Sequence, residues 1–253
     1  MPYSFARNTS VGSVGGCMKR LQVFTHHKCA SKWLEHYLRE VARLNGCSYN
    51  STHYSSADLR AGADFNAYLN ASYPVALQLG GGGIHVIRNP LDILVSAYHS
   101  HLKTHSLSGW PELARQRSIL QGSDEVSGYF LTLAFIERDD FYNGAVGPLH
   151  ALRHWNFADP AFQTLKMEDL VKDPDGALGT AIRSRLPDCL LPVGHQHSFE
   201  AIAGRPYGTI DDASHYRSGQ PNQWRNGLPV PVVRYVQTHY RELLEAFYPE
   251  SLA

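Results

Sequence analysis

Residues 21–25 (LQVFT) form a short apolar run bounded by polar sequence, which predicts a buried strand at the start of the fold. A polar loop follows. The segment SKWLEHYLREVARL then sets Trp33, Tyr37 and Val41 beside Leu34, Leu38 and Ala42 on one helical face. Residues 75–79 predict a second strand, the glycine run 80–83 breaks it, and residues 84–88 predict a third with apolar Ile84, Val86 and Ile87. Asn89 offers a helix N-cap, Pro90 suits the first helical position, and Asp92 falls in the first turn where negative charge is favoured. That helix is expected to run to about Leu102. Helical patterns recur over 110–120, 125–138 and 145–155, and a strand over 162–165 precedes a helix entered at Asp173-Pro174. From 232 to 247, apolar Val232, Val233, Val236, Tyr240, Leu243, Leu244 and Phe247 describe one amphipathic helix. Strands alternating with helices predict an α/β fold, a mostly parallel central sheet covered on both faces.

With 253 residues and 43% apolar content, the chain can bury one sizeable core, so a single domain is expected over residues 21–253. Residues 1–20 are rich in Gly, Ser and Asn and read as a flexible lead-in. The 23 basic residues balance the 23 acidic ones, so no global field gathers nucleic acid or an anionic membrane, and any anion site must be built locally. Cys17, Cys29, Cys47 and Cys189 make no Cys-x-x-Cys pair and no dense framework, which fits a reducing cytoplasm. Neither a signal peptide nor a membrane span is read, because no apolar stretch approaches ~20 residues.

Three segments carry candidate chemistry. The first, THHKCASKWL over 25–34, sets small residues and a lysine between a strand and a helix N-terminus, where unpaired amides bind phosphate. Cys29, Ala30 and Ser31 allow close approach and Lys28 supplies a point charge; a plain strand-to-helix turn with an exposed lysine is the alternative. The Gly-Lys-Ser/Thr ending of a Walker A loop is missing. In the second segment Arg88 ends a strand and Ser96 lies on the next helix, a forked cation and a hydroxyl suited to one phosphate monoester. Its alternative is Arg88 paired with Asp92 and Ser96 merely exposed. The third segment, HYRSGQPNQWRNGL over 215–228, is a loop carrying Arg217, Ser218, Gly219, Trp224 and Arg225, fit to close over a nucleotide or to lie in solvent.

Taken together, in this order and separation, the segments resemble the sulfotransferases that use 3′-phosphoadenosine 5′-phosphosulfate (PAPS). Residues 26–34 are similar to that family's 5′-phosphosulfate loop, Pro-Lys-Ser-Gly-Thr-Thr-Trp, with His27 in the proline place, Lys28 on the lysine and Trp33 on the tryptophan. Residues 88–98 are similar to its 3′-phosphate motif through Arg88, Asp92 and Ser96, and residues 217–228 to its Arg-Lys-Gly…Gly-Asp-Trp-Lys-Asn segment through Arg217, Gly219, Trp224 and Asn226. MEDLVKDP at 167–174 and HSFEAIAG at 197–204 resemble two further family stretches, so the likeness spans 21 to about 247. It implies a parallel sheet of four to five strands flanked by helices, with a P-loop-like cofactor site.

The resemblance implies roles as well. Lys28 would stabilise charge on the bridging oxygen, while the loop amides of 27–33, Ser31 and Lys32 among them, hold the phosphosulfate. Arg88, Ser96, Arg217 with neighbouring Tyr216 and Ser218, and the Gly219 amide would grip the 3′-phosphate, and Trp33 and Phe199 would stack on adenine. The departures are Lys32 for a threonine, Met167 for a tyrosine and Ser218 for a lysine. The family's Lys-Thr-His-Leu-Pro stretch, which supplies the general base, is absent from 48–83; Lys103-Thr104-His105 spells the tripeptide but follows the strand. His53 is therefore the candidate base, with Asp58, Asp64 and residues 70–73 as rivals.

The expected partner is a small-molecule acceptor bound by residues of 48–83 and 104–145, partly apolar to judge by their aromatic and leucine content; a homodimer is left open. Neither nucleic acid nor a membrane is expected as a partner. The 14 histidines include the pairs His101/His105, His195/His197 and His26/His27, but no third ligand is identifiable, so no metal is expected. A catalytically silent nucleotide-binding protein and an ATP-dependent phosphotransferase are the competing functions.

Overall fold

The computed structural model describes residues 20–54, 63–173, 175–214 and 217–253. The lead-in 1–19, Asp58 and Tyr216 lie outside them. The described residues hold a five-stranded, all-parallel sheet in the order β2-β3-β1-β4-β5. Its strands are β1 (Leu21–Phe24), β2 (Tyr49–Thr52), β3 (Phe65–Tyr68), β4 (Gly83–Ile87) and β5 (Phe162–Lys166). Val23 and Phe24 pair with Ala67 and Tyr68 on one side and with Ile84 and His85 on the other, so β1 lies at the centre.

Helix α1 (Ser31–Leu44) buries Leu34, Tyr37, Leu38, Val41 and Ala42, the face expected from its periodicity. They pack with Leu21, Val23, Phe65, Ala67, Ile84 and Val86 on one face of the sheet. The opposite layer is built on α3 (Pro90–His99), α5 (Glu125–Ile136) and the C-terminal helices, around Leu91, Leu94, Tyr129, Leu133, Val236 and Leu244. Alternation within β1 decides the sides: Leu21 and Val23 face α1, while Phe24 joins a smaller cluster with Tyr68, Ala76, Trp155 and Phe162.

Several elements differ from expectation. Residues 75–79 belong to a helix, α2 (Tyr73–Leu79), because Pro74 sits in its first turn and Val75, Ala76 and Leu79 share one face against Trp155. The polar β2 and short β3 carry no apolar run to announce them. α3 ends in a π-helical turn, Ser100–Thr104. α4 (Pro111–Gln121) is as expected, and α6 (Pro148–Arg153) is shorter. α7 (Met167–Lys172) starts directly after β5, and Asp173 closes the turn beyond it by accepting from Gly176 N at 2.8 Å. A second π-helical turn, Asp175–Gly179, runs into α8 (Thr180–Arg185). The helix over 232–247 is two, α11 (Val230–His239) and α12 (Arg241–Phe247), following the short α9 (Phe199–Ala203) and α10 (Trp224–Gly227). Tyr240 interrupts them; its ring lies under the Arg153 guanidinium at 4.6 Å and its hydroxyl donates to Glu137.

From β1 the chain turns toward β2, and from β4 toward β5. The crevice at the carboxyl ends of β1 and β4 is thus the switch point of the sheet, where α/β proteins bind ligands.

Candidate active site

A cavity of about 570 Å³ opens at that switch point. The loop after β1 forms its floor. Thr25 Oγ1 donates to Cys29 O at 2.9 Å and Cys29 N donates to His26 O at 3.0 Å, which coils the loop under the start of α1. Lys28 and Ala30 take left-handed backbone at φ 68° and 59°, a conformation worth about 1–2 kcal/mol of strain in an L-residue. Ala30 stands where the family motif has glycine. α1 carries no side-chain cap and no acidic residue in its first turn, so its first amides face the cavity with the positive end of the helix dipole. Ala30, Ser31, Lys32 and Trp33 line the cavity.

Cys29, unlike its neighbours in the loop, does not line the cavity. Its side chain is fully buried in the core and its amide is bound to His26, so it offers nothing to a ligand. Burial also drives its thiol pKa upward, which makes it inert.

Lys28 Nζ donates to Ser100 Oγ at 2.5 Å, and the π-helical turn brings that hydroxyl there. Burial, with Arg88 close by, lowers the ammonium pKa to about 7. Arg88 donates to Lys28 O at 3.0 Å, and it lines the cavity along with Ser96. The alternative pairing of Arg88 with Asp92 is not found. Asp92 accepts instead from the amides of Asn222 (2.6 Å) and Trp224 (3.1 Å), tying the third segment to the second. The half-buried carboxylate of Glu168 accepts from Asn89 N at 3.0 Å and Tyr248 Oη at 3.1 Å and fixes the end of β4.

The segment around 217–223 closes one side. Arg217 donates to Asp212 at 2.7 Å and to the Gln223 carboxamide, and the buried Ser218 hydroxyl accepts from Gln223 Nε2 at 2.5 Å. Gly219 has φ +71°, and a Cβ there would come within 2.5 Å of the Phe199 ring. Trp33 stacks on Tyr37, donates to His197 O at 2.7 Å and shares the cavity wall with Phe199 and Met167. Lys32 forms a long ion pair with Glu35 at 3.7 Å.

On the other side of Lys28 stand aromatic residues and histidines. Trp110 lies between Phe141 (ring centroids 5.0 Å) and Tyr142 (4.5 Å), and Tyr54 packs on Tyr142 at 5.5 Å. His27, His53 and His105 line this part of the cavity. Asn70 does too, donating to His53 O at 2.6 Å while its own Oδ1 is buried without a partner. Of the rival bases, Asp64 is at the far end of β3 and accepts from Ser48 N and Oγ at 2.8 and 2.7 Å. Tyr73 points away, donating to Asp159 at 2.9 Å. From the sequence, His27 stands in the proline place of the phosphosulfate loop and beside His26, with no sign of a part in proton transfer. Its partnership with His101 depends on the π-helical turn, for which the sequence has no signal.

The model of the sulfotransferase domain family matches residues 83–248. The chain belongs to the sulfotransferase family. Among solved structures this sulfotransferase is similar to mouse sulfotransferase SULT7A1 complexed with PAP, with a TM-score of 0.60 and 16% identity, covering 89% of this chain and 84% of the other. It is also similar to retinol dehydratase in complex with androsterone and the inactive cofactor PAP, with a TM-score of 0.53 and 11% identity over 89% and 80% of the two chains. At these identities the likeness is one of fold. No curated protein sequence matches the chain. The family match begins at β4, so the Lys28 loop lies outside it, and the fold brings that loop to the matched part of the sulfotransferase. Among the described residues, no helix is long and apolar enough to cross a membrane, and no group of three or more metal-binding side chains could hold an ion.

Proposed function

We propose that this sulfotransferase takes PAPS as donor and transfers its sulfuryl group to a hydroxyl or amine of a small acceptor, releasing PAP. The observation that carries this reading is the convergence on one cavity of the α1 amides, Lys28, Arg88, Ser96 and Arg217, with no carboxylate of the first helical turn to occupy the site. PAPS supplies an activated sulfuryl group and two separated anionic ends. Ser31, Lys32 and the α1 amides would hold the phosphosulfate, with Lys28 meeting the charge that develops as the S–O bond breaks. Arg88, Ser96, Arg217, Ser218 and the Gly219 amide would hold the 3′-phosphate, and Trp33 and Phe199 the adenine between them. PAP in both solved neighbours supports the same choice.

The walls formed by Tyr54, Trp110, Phe141 and Tyr142 suit a flat, partly aromatic acceptor whose nucleophile points at Lys28. The base belongs to the same mouth, where the sequence candidate His53 is joined by His27 and His105. Cytoplasmic residence is part of the proposal and is supported by the free thiols of Cys29, Cys47 and Cys189. PAP is expected to raise Tm while AMP and ADP do little, since ligands that bind only the native state stabilise it by mass action. Radiolabelled PAPS with pooled phenols, alcohols and amines is expected to give a sulfated product. Equal shifts from PAP and ADP would favour the phosphotransferase; PAP binding without turnover would favour the silent protein.

A further inference from the structure

Behind the acceptor mouth a line of three side chains ends on the loop that carries Lys28. Gln116 Oε1, on α4, accepts from His101 Nδ1 at 2.9 Å. His101 is fully buried in the π-helical turn, and Arg117 Nε anchors its carbonyl at 2.5 Å. With Nδ1 the donor to Gln116, the neutral His101 ring has a lone pair on Nε2, and that atom lies 3.0 Å from His27 Nε2. His27 must then carry its proton on Nε2, which leaves Nδ1 as the bare nitrogen. Among the described residues no hydrogen bond reaches His27 Nδ1, and His27 lines the cavity beside Lys28. Its ring is set between Phe141 (5.3 Å) and the edge of Trp110 (5.9 Å). Among the described residues, His53 has one ring contact, with Tyr54 at 6.5 Å, and no hydrogen bond to orient its ring.

We propose that His27 is the general base of the transfer, its Nδ1 taking the acceptor's proton while His101 and Gln116 act as positioning residues through Nε2. This rests on the PAPS-dependent reading above. In the step, the acceptor O–H proton goes to Nδ1, the acceptor oxygen bonds to sulfur, and the pair from the broken bridging S–O bond stays on the phosphate beside Lys28. The imidazolium afterwards loses its proton to water. Burial and the charged or titratable neighbours Lys28, His101, His105 and His53 hold His27 neutral in the free protein, with Arg88 and Arg117 adding to the positive surroundings of Lys28 and His101. A phosphosulfate anion next to Lys28 offsets that repulsion, so the ring becomes a better base when the donor is bound.

The test uses the full chain with phenol and the more acidic 4-nitrophenol as acceptors. His27→Gln keeps a donor toward His101 but has no basic nitrogen, and kcat is expected to fall ~10²-fold or more on phenol and much less on 4-nitrophenol, with the PAP thermal shift retained. Calorimetry of PAP binding in buffers of different ionisation heat is expected to show proton uptake that is reduced in His27→Gln and kept in His53→Gln. Gln116→Leu should lower kcat without raising KM, and Gln116→Glu should restore it by keeping the acceptor for His101 Nδ1. A His27→Gln enzyme with the wild-type rate, phenol dependence and proton uptake overturns the proposal, and loss of these in His53→Gln moves the role there. A wild type that neither binds PAP nor turns over PAPS overturns the donor assignment and this proposal with it.

Discussion

Ala30 holds a left-handed backbone that glycine adopts freely, directly under the amides expected to meet the phosphosulfate. Ala30→Gly is expected to relieve strain by about 1 kcal/mol and raise Tm by ~2–4 °C in the unliganded protein. A scanning-calorimetry Tm that stays put or falls would mean that the loop is not strained there. Beside it, Lys28 is held by Ser100 in a buried setting that lowers its pKa to about 7. Lys28→Ala should cut kcat by ~10²-fold or more while PAP binding changes little, because the contribution of the lysine is made in the transition state. Steady-state rates alongside PAP titrations check this, and a mutant with normal turnover would make Lys28 a structural cation only.

Between elements, recognition depends on approaches of a few ångströms that are visible only in part from the sequence. Gly219 approaches the Phe199 ring from a loop otherwise held by Asp92, Arg217 and Gln223. Gly219→Ala is expected to push that ring aside and weaken PAP roughly tenfold by calorimetry, about 1.4 kcal/mol, with Tm lowered. An unchanged Kd would show that the 3′-phosphate lobe does not need this contact. The strands around the ligand loops, the α1 face, the Asn89 cap with Pro90, and the three segments themselves were legible, because periodicity and small-residue spacing encode them directly. β2 and β3 were not, since polar YNST and short FNAY acquire their strand character only from pairing with each other and with β1. Residues 75–79 show the same ambiguity in reverse, an apolar run that packs as a helix. The base was the least legible part: it depends on a π-helical turn that shifts His101 against His27, and no periodicity announces such a turn.

Across the molecule, neutral histidines tie stability to pH. His26 and His85 are buried Nε2 to Nε2 at 2.7 Å, with Trp155 stacked on His85 at 3.6 Å. Burial lowers His26 to about 3 and moves His85 and His101 well down. Between these values and ~6.5 the unfolded chain binds protons that the folded one refuses, so stability is complete above pH ~6.5 and is lost as pH falls. Each such histidine adds a slope of about 1.4 kcal/mol per pH unit, and urea melts at pH 7, 6 and 5 should show it; His85→Phe should make the dependence shallower, whereas equal midpoints at pH 7 and 5 would contradict it. The central place of β1 has a kinetic consequence. Val23 finds its neighbours only when Ala67 and Ile84 have been made and have come back to it across long stretches of chain. Non-local parallel pairing of this kind makes for slow folding and leaves strand edges open while it lasts. The Lys28 loop hangs from a strand that has both its neighbours only after β3 and β4 are made, so a newly synthesised chain has no anchored loop until then.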